Sequence, residues 1–576
     1  MNAIIRRRPV DMSTGRFTSA TPKILQRVLL GRGVTCDDEL DHQLTRLHSP
    51  ASMRGVEKAV GLLVEAVRAQ HKILIVGDFD ADGATSSTLS MLALGALGAG
   101  PVDFLVPNRF EFGYGLTPEI VEVAREYNPD LLITVDNGIS SIEGVAAARA
   151  AGLKVIVTDH HLPGSELPEA DAIVNPNQPD CDFPSKNLAG VGVIFYLLSR
   201  LKSVLQQQGW FEETGIAAPN MAEYLDLVAL GTVADLVPLD QNNRVLVHQG
   251  IARIRAGRCR PGIQALMDVA GRDRARLSTT DIGFILGPRI NAAGRLDDIG
   301  TGIRCLLTQD PQEARELAAE LDGLNRDRKA IEAGMQREAM AALEKLQLDG
   351  AELPWSLCLY DGEWHQGVVG ILASRIKEKF HRPVIAFADG DNGLVKGSAR
   401  SIPGLHIRDA LSDVAATHPH LISKFGGHAM AAGLSLPAEN LAAFTDAFEA
   451  AVRSRISETQ LQAVIDSDGE LQPAEFSMET AAILRACAPW GQAFPEPEFD
   501  GEFLLLQQRI VGERHLKMTV APAAAPQQAI DAIAFNIDTD QWPAAVDRVR
   551  LAFKLDINEF RGRQSLQLMV SHLEPL

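Results

Sequence analysis

The stretch Lys72-Ile-Leu-Ile-Val-Gly77-Asp78-Phe79-Asp80-Ala81-Asp82-Gly83 decides how this chain reads. A short apolar run ends abruptly in three aspartates at every second residue. An apolar run without polar breaks belongs to a strand covered on both faces. Three neighbouring carboxylates repel one another and raise each other's pKa. In an extended segment, a period of two points all three the same way. A bound cation would remove the cost of gathering them. Taken alone, the same residues also suit a solvated acidic turn whose aspartates cap a helix.

The alternation continues outward. The helical stretch Val56 to Gln70 precedes the run. Helices then separate Val102-Asp-Phe-Leu-Val106, Leu131-Leu-Ile-Thr-Val135 and Leu153-Lys-Val-Ile-Val-Thr158. Short apolar runs between amphipathic helices indicate a parallel sheet. Such sheets place ligands beyond the carboxyl ends of their strands. Here those ends read Val135-Asp136-Asn137-Gly138 and Thr158-Asp159-His160-His161. Further on, Leu230-Gly-Thr-Val-Ala-Asp235-Leu-Val-Pro238 sets one carboxylate in an apolar frame, where it needs a partner. A helix cap is the other reading of Asp235. Together, four segments bring acid or imidazole to one sheet edge, enough for two divalent ions. Two ions roughly 3.5–4 Å apart activate water and stabilise the attacking and leaving oxygens. The expected chemistry is metal-dependent phosphoester hydrolysis.

The 576 residues imply several domains. Hydrophobic residues at 46% and charged residues at 22% are ordinary for a globular chain. A net charge of −19 excludes a protein coated in basic residues. It leaves nucleic-acid binding open, since that needs only a local positive stripe. Six cysteines without a CxxC pair argue against a disulfide framework or structural zinc and suit a reducing compartment. The uncharged run Ala84 to Val102 is broken by Gly95, Gly98, Gly100 and Pro101, so it reads as a buried helix and turn. A cytoplasmic chain with no membrane association is expected.

Asp310-Pro311 opens a long helix that runs to about Leu346, with Asp310 as cap and Pro311 at the first position. Its length of about 50 Å would connect two lobes. A second α/β unit follows, and short alternating segments from about Ile465 read as a small antiparallel barrel or sandwich. The domains expected are an extension (1–50), a catalytic α/β domain (51–309), the connecting helix (310–347), a second α/β domain (348–458) and the barrel (459–576).

Several segments carry chemistry suited to nucleic acid. Gly426-Gly427-His428 to Gly433 reads as a glycine-rich loop whose N–H groups could approach a phosphate. Asn108-Arg109-Phe110-Glu-Phe112-Gly-Tyr114 interleaves Arg and Gly with aromatics that could stack on bases or pack into the core. Arg289 and Asn291 sit among small residues and suit an oriented phosphate contact. Lys396, Ser398 and Arg400 form a polar strip. Seven arginines between Arg253 and Arg276 make a basic island. Arg509, Arg514, Lys517 and Arg561 could line a groove on the barrel.

The acidic series, with Gly426 to Gly433, Gly287-Pro-Arg289-Ile-Asn291-Ala-Ala-Gly294-Arg295 and Trp364-His365-Gln-Gly367-Val-Val-Gly370, resembles the DHH phosphoesterase superfamily. Within it the chain is similar to the RecJ family of bacterial single-strand-specific exonucleases over nearly its whole length. The resemblance implies a parallel-sheet DHH domain, a DHH-associated α/β domain joined by a long helix, and a C-terminal OB-like barrel. It implies two divalent cations, Mn²⁺ or Mg²⁺, held by Asp78, Asp80, Asp82, Asp136, His160 and Asp235, with Asp136 bridging. Asp78 would be a ligand or a base, Asp159 would orient His160, and His161 would contact the scissile phosphate. Substrate contacts would come from Arg109, Phe110, Tyr114, Arg289, Asn291, Lys396, Ser398, Arg400, Gly426, Gly427 and His428. The glycine-rich loop would face the metals across a cleft that admits one strand. The implied activity is 5′→3′ release of mononucleotides from single-stranded DNA in recombination and repair. Single-strand-binding protein and a RecQ-type helicase are implied partners of a monomer. A phosphodiesterase for short oligonucleotides, a non-catalytic scaffold and a pyrophosphatase are the alternatives. The barrel argues against the first and last, and the intact acidic motifs against the second.

Overall fold

The computed structural model describes residues 3–107, 115–348, 353–487, 489–512, 514–537, 542, 546–560 and 562–576. The chain divides into two compact units. One comprises Val10–Asn325 and Glu479–Pro497. The other comprises Met1–Pro9, Arg326–Met478 and Glu498–Leu576. The helix Pro311–Leu348 contains the point where the chain passes from one to the other. Its start is capped as the sequence implies: Asp310 Oδ1 accepts the Gln312 N–H at 2.8 Å.

The first unit is built on a five-stranded parallel sheet. Its order is Val102–Leu105, Ile73–Val76, Leu131–Val135, Lys154–Thr158, Ala172–Val174. Ile73–Val76 and Leu131–Val135 are buried along their whole length, because helices cover both faces. The edge strand Ala172–Val174 is only three residues long, too short an apolar run to be expected from the sequence. The helices Ala81–Ala96, Gly190–Gln207 and Leu225–Ala234 are buried nearly all round where they meet, so they carry no clean polar stripe.

Among the described residues, the second unit holds a five-stranded sheet, a closed barrel and a two-stranded parallel pair. Its α/β part orders strands Lys424–Gly427, Ala431–Pro437, Leu394–Arg400, Val384–Asp389, Leu357–Tyr360. The last two pair in parallel, and the others are antiparallel. The glycine-rich segment is therefore an edge strand and hairpin of this sheet, where a loop is expected. Gly427 (φ +144°) allows the tight turn in which the His428 N–H meets the Ala431 carbonyl at 2.8 Å.

The C-terminal strands Phe499–Val511, His515–Pro522, Ile530–Ala534, Arg563–Pro575 and Arg548–Phe560 close into a barrel in that order. Ile530–Ala534 and Arg563–Pro575 pair in parallel, where an all-antiparallel barrel is expected. Strand directions cannot alternate all the way round a ring of five, so one parallel pair is obligatory. Phe499, Phe503 and Phe553 fill the barrel, and Phe476 packs against Phe503 and Phe553 with centroids 5.9 Å away.

The N-terminal residues have a partner far along the chain. Ile4–Arg7 pairs in parallel with Val464–Ser467. Arg7 Nη2 meets the buried Asp500 carboxylate at 2.7 Å, and Ser467 Oγ donates to it at 2.5 Å. Among the described residues, no helix is long and apolar enough to cross a membrane. Arg7→Ala is expected to destabilise the barrel-bearing unit by about 1 kcal/mol, a modest figure because Arg7 is half exposed and screened by solvent. Chemical denaturation followed by near-UV dichroism reads this. An unchanged midpoint would show that the Arg7–Asp500 pair contributes nothing.

Candidate active site

Strand register sets the site. Val76 lies opposite Thr134, and Thr134 opposite Val157. Asp78, Asp136 and Asp159 each follow these aligned residues by two positions, so the three carboxylates leave the same sheet edge at the same height. The remaining acids arrive differently from the extended series expected. Asp80 is the N-cap of the helix Ala81–Ala96 and accepts the N–H groups of Asp82 (2.9 Å) and Gly83 (3.1 Å). Asp82 lies in the first helical turn. Capping, not strand alternation, turns the loop and folds Asp82 inward.

Asp82 accepts the N–H groups of Gly190 (2.6 Å) and Val191 (2.9 Å) at the start of the helix Gly190–Gln207, the end that favours an anion. Gly190 must lack a side chain: a Cβ there would stand 2.6 Å from Asp136 Cβ. Asp235 follows the last residue of the helix Leu225–Ala234, the end that disfavours an anion. Its place here therefore needs compensation by positive charge.

These residues converge. His160 Nε2 lies 3.1 Å from Asp136 Oδ1, 3.5 Å from Asp235 Oδ2 and 4.0 Å from Asp82 Oδ2. Three donor groups form, each with its atoms within 4.8 Å of one another: Asp78, Asp80 and Asp136; Asp82, His160 and Asp235; Asp136, His160 and His161. Burial, then the charge of Asp80, pushes Asp82 up to about 7. Burial and the neighbouring aspartates raise Asp136 and Asp235 well above the usual carboxylate range. Five carboxylates with an imidazole suit Mg²⁺ or Mn²⁺, and two such ions would balance four of the five charges.

Asp159 orients His161, a role the sequence reading gave toward His160. Asp159 Oδ1 lies 2.7 Å from His161 Nδ1 and also accepts the His160 and His161 N–H groups at 2.7 and 3.0 Å. Its Oδ2 accepts the Ile139 N–H at 2.9 Å. Burial would raise Asp159, but the bond to His161 and the histidine charges hold it below its ordinary value. Burial would lower His161, yet the bond and charge of Asp159, with Asp235 and Asp78, lift it to about 9. Without metal, Asp159 thus favours the cationic form of His161.

Three family models match the chain: the DHH family N-terminal domain at residues 72–232, the DHHA1 domain at 355–454 and the RecJ OB domain at 467–572. The single-stranded-DNA-specific exonuclease RecJ of Escherichia coli is 56% identical over 573 residues, 99% of each chain. The chain belongs to the RecJ family. The crystal structure of Thermus thermophilus RecJ with Mn²⁺ is similar with a TM-score of 0.81 at 30% identity, over all of this chain and 79% of that one. The same protein with Mg²⁺ gives 0.75 at 28%, over all of this chain and 78% of that one.

Within this RecJ-family chain, the other candidates fall into three sets. Arg109, Phe110 and Tyr114 lie outside the described residues. Arg289 is held by Asp322 (Nη2 to Oδ1, 2.9 Å) and the Ile285 carbonyl (2.7 Å). Asn291 Oδ1 accepts the Ala81 N–H at 2.7 Å, so it braces the acidic loop. In the second unit, Lys396, Ser398 and Arg400 share one face of the strand Leu394–Arg400. Arg400 donates to Ser398 Oγ (3.1 Å) and its neighbour's carbonyl, and burial lowers its pKa. Gly433 pairs with both Ser398 and Gly426, and a Cβ on either glycine would meet nothing within 4 Å. At these two glycines the sheet is bare backbone. His428 forms the hairpin turn beside it. Of the basic island, Arg260 pairs with the buried Asp226, while Arg272 and Arg276 pair with Asp281 and Asp273.

In the metal-free protein, the His161 ring should titrate near its value of about 9. Asp159→Asn should return it toward about 6.5. NMR of ¹⁵N-labelled imidazoles reads both. A wild-type value near 6.5 would contradict the Asp159–His161 coupling.

Proposed function

We propose that the chain is a single-strand-specific exodeoxyribonuclease that hydrolyses phosphodiester bonds with two divalent cations, Mn²⁺ or Mg²⁺. The observation that carries this reading is the cluster of the buried Asp78, Asp82 and Asp136 with the half-buried Asp80, His160 and Asp235. Asp136 belongs to two of its donor groups, which suits a shared ligand. The cations, once bound, supply charge that activates water and stabilises the oxygens of the reacting phosphate.

The chain's own residues do the rest. Gly190 and Val191 hold Asp82, Asn291 holds the acidic loop, and Asp159 orients His161 through its Nδ1 so that the ring can contact the scissile phosphate. Ser398, Arg400, Lys396 and the bare backbone of Gly426 and Gly433, next to Gly427 and His428, form a surface that suits the phosphates of a strand. The OB-type barrel supports binding of single-stranded DNA. By the E. coli relative's name the substrate is single-stranded DNA. Cleavage from the 5′ end to mononucleotides, a role in recombination and repair, and delivery of substrate by single-strand-binding protein or a RecQ-type helicase to a monomer complete the reading.

End-labelled single-stranded and duplex DNA, incubated with Mn²⁺, Mg²⁺ or EDTA, tests it. Mononucleotides should leave the 5′ end of the single strand only. EDTA should abolish release, and Asp136→Ala should lower it by more than about a hundredfold. Turnover of dinucleotides without cleavage of long strands would contradict the substrate and keep the metal cluster.

Protons and cations compete for the raised carboxylates. Below their metal-free pKa values the aspartates hold protons that a cation must expel. Mn²⁺ affinity should therefore rise with pH through about 7, the value of Asp82, with protons released on binding. Titration calorimetry in buffers of different ionisation enthalpy reads both. An affinity independent of pH across that window would contradict the cluster as the Mn²⁺ site.

A further inference from the structure

Two large apolar side chains stand in solvent, one of them next to Asp235 in the chain. Leu236, the residue after Asp235, is 62% exposed, and Phe284 is 74% exposed. Single exposed apolar residues are ordinary. These two line the same shallow hollow, whose walls include Val233, Leu239 and Trp490. Among the described residues, no charged side chain lines it.

The backbone under both is irregular. Leu236 adopts a left-handed conformation (φ +60°), unfavourable for a bulky residue. Phe284 rides on the π-helical turn Ile282–Leu286. Such irregularities persist where the surroundings impose them, and they gather at functional sites. Both are also tied to the acids. Leu236 is bonded to Asp235. The π-turn leads directly into the helix Gly287–Leu296, whose Asn291 accepts the Ala81 N–H. Gly294 of the same helix lies against the Phe79 carbonyl so closely that an added Cβ would stand 1.8 Å from it. The apolar surface and the acidic loop are thus fixed to one another at two points.

We propose that Phe284 and Leu236 form an apolar platform on which a base next to the scissile phosphate stacks. The inference rests on the single-strand nuclease reading. A strand with a phosphate at the cluster brings its bases beside this surface, and bases are the apolar faces it has to offer. A hollow without charge favours stacking over base readout, so the platform would accept any base. A protein docked there would sit against Asp235 and obstruct the strand, which favours the nucleobase as occupant. Stacking would hold the phosphate in register with the cations.

The test is single-turnover release of the labelled terminal nucleotide by wild type, Phe284→Ala, Phe284→Trp and Leu236→Asn, the last because Asn tolerates the left-handed backbone. Each is run with Mn²⁺ on ordinary single strands and on strands with one abasic residue placed in turn along the first few positions. Phe284→Ala should lose roughly ten- to a hundredfold in kcat/KM on ordinary strands. Phe284→Trp should stay near wild type, and Leu236→Asn should lose less than Phe284→Ala. At one abasic position the wild type should fall to the level of Phe284→Ala, which itself falls no further there. An active wild type with an indifferent Phe284→Ala would overturn the platform alone. So would an equal loss from Phe284→Ala at every abasic position, which is the mark of a structural role. No cleavage of any single strand by the wild type would overturn the nuclease reading and the platform with it.

Discussion

The structure of the first unit depends on one electrostatic constraint: several carboxylates share a buried space with too little positive charge. Asp82 and Asp136 are each 1% exposed, and in such surroundings an ionised carboxylate needs hydrogen bonds, a cation or a proton. The fold supplies some of this. Gly190 and Val191 donate to Asp82, and the helix they begin turns its favourable end toward it. The fold withholds it elsewhere, since Asp235 sits at the unfavourable end of its helix. An arrangement that costs stability without cations is suited to binding them.

The parallel sheet makes the gathering possible. Its strands leave one edge in register, so residues two beyond aligned positions meet whatever lies between them in sequence. The helices then add what strands cannot. Asp80 caps one, Asp82 is folded inward by that cap, and Asp235 is brought by the end of another. Asp159 plays a separate part: its oxygens accept backbone N–H groups and meet the His161 ring, which they hold in place beside the acids.

Much of this was legible in the sequence for local reasons. An apolar run followed by acid is a strand and its end, and the repetition of that pattern implies a parallel sheet. Proline after aspartate marked the start of the long helix. What could not be read depends on distant partners. The pairing of Ile4–Arg7 with Val464–Ser467 leaves no local signal. The spacing of Asp78, Asp80 and Asp82 fits both an extended series and a helix cap, and only the helix Ala81–Ala96 decides for the cap at Asp80. Adjacent histidines cannot be told apart until the chain direction after Thr158 is known, and that direction gives Asp159 to His161. The glycine-rich hairpin read as a loop because glycine is a poor strand former, and its place on a sheet comes from pairing with Leu394–Arg400.

Anomalous scattering from crystals grown with Mn²⁺ tests most directly whether the acidic cluster holds two cations that share Asp136. Two peaks, one beside Asp78 and Asp80 and one beside Asp82, His160 and Asp235, with Asp136 between them, would be the result predicted. A single peak, or peaks away from these side chains, would contradict it.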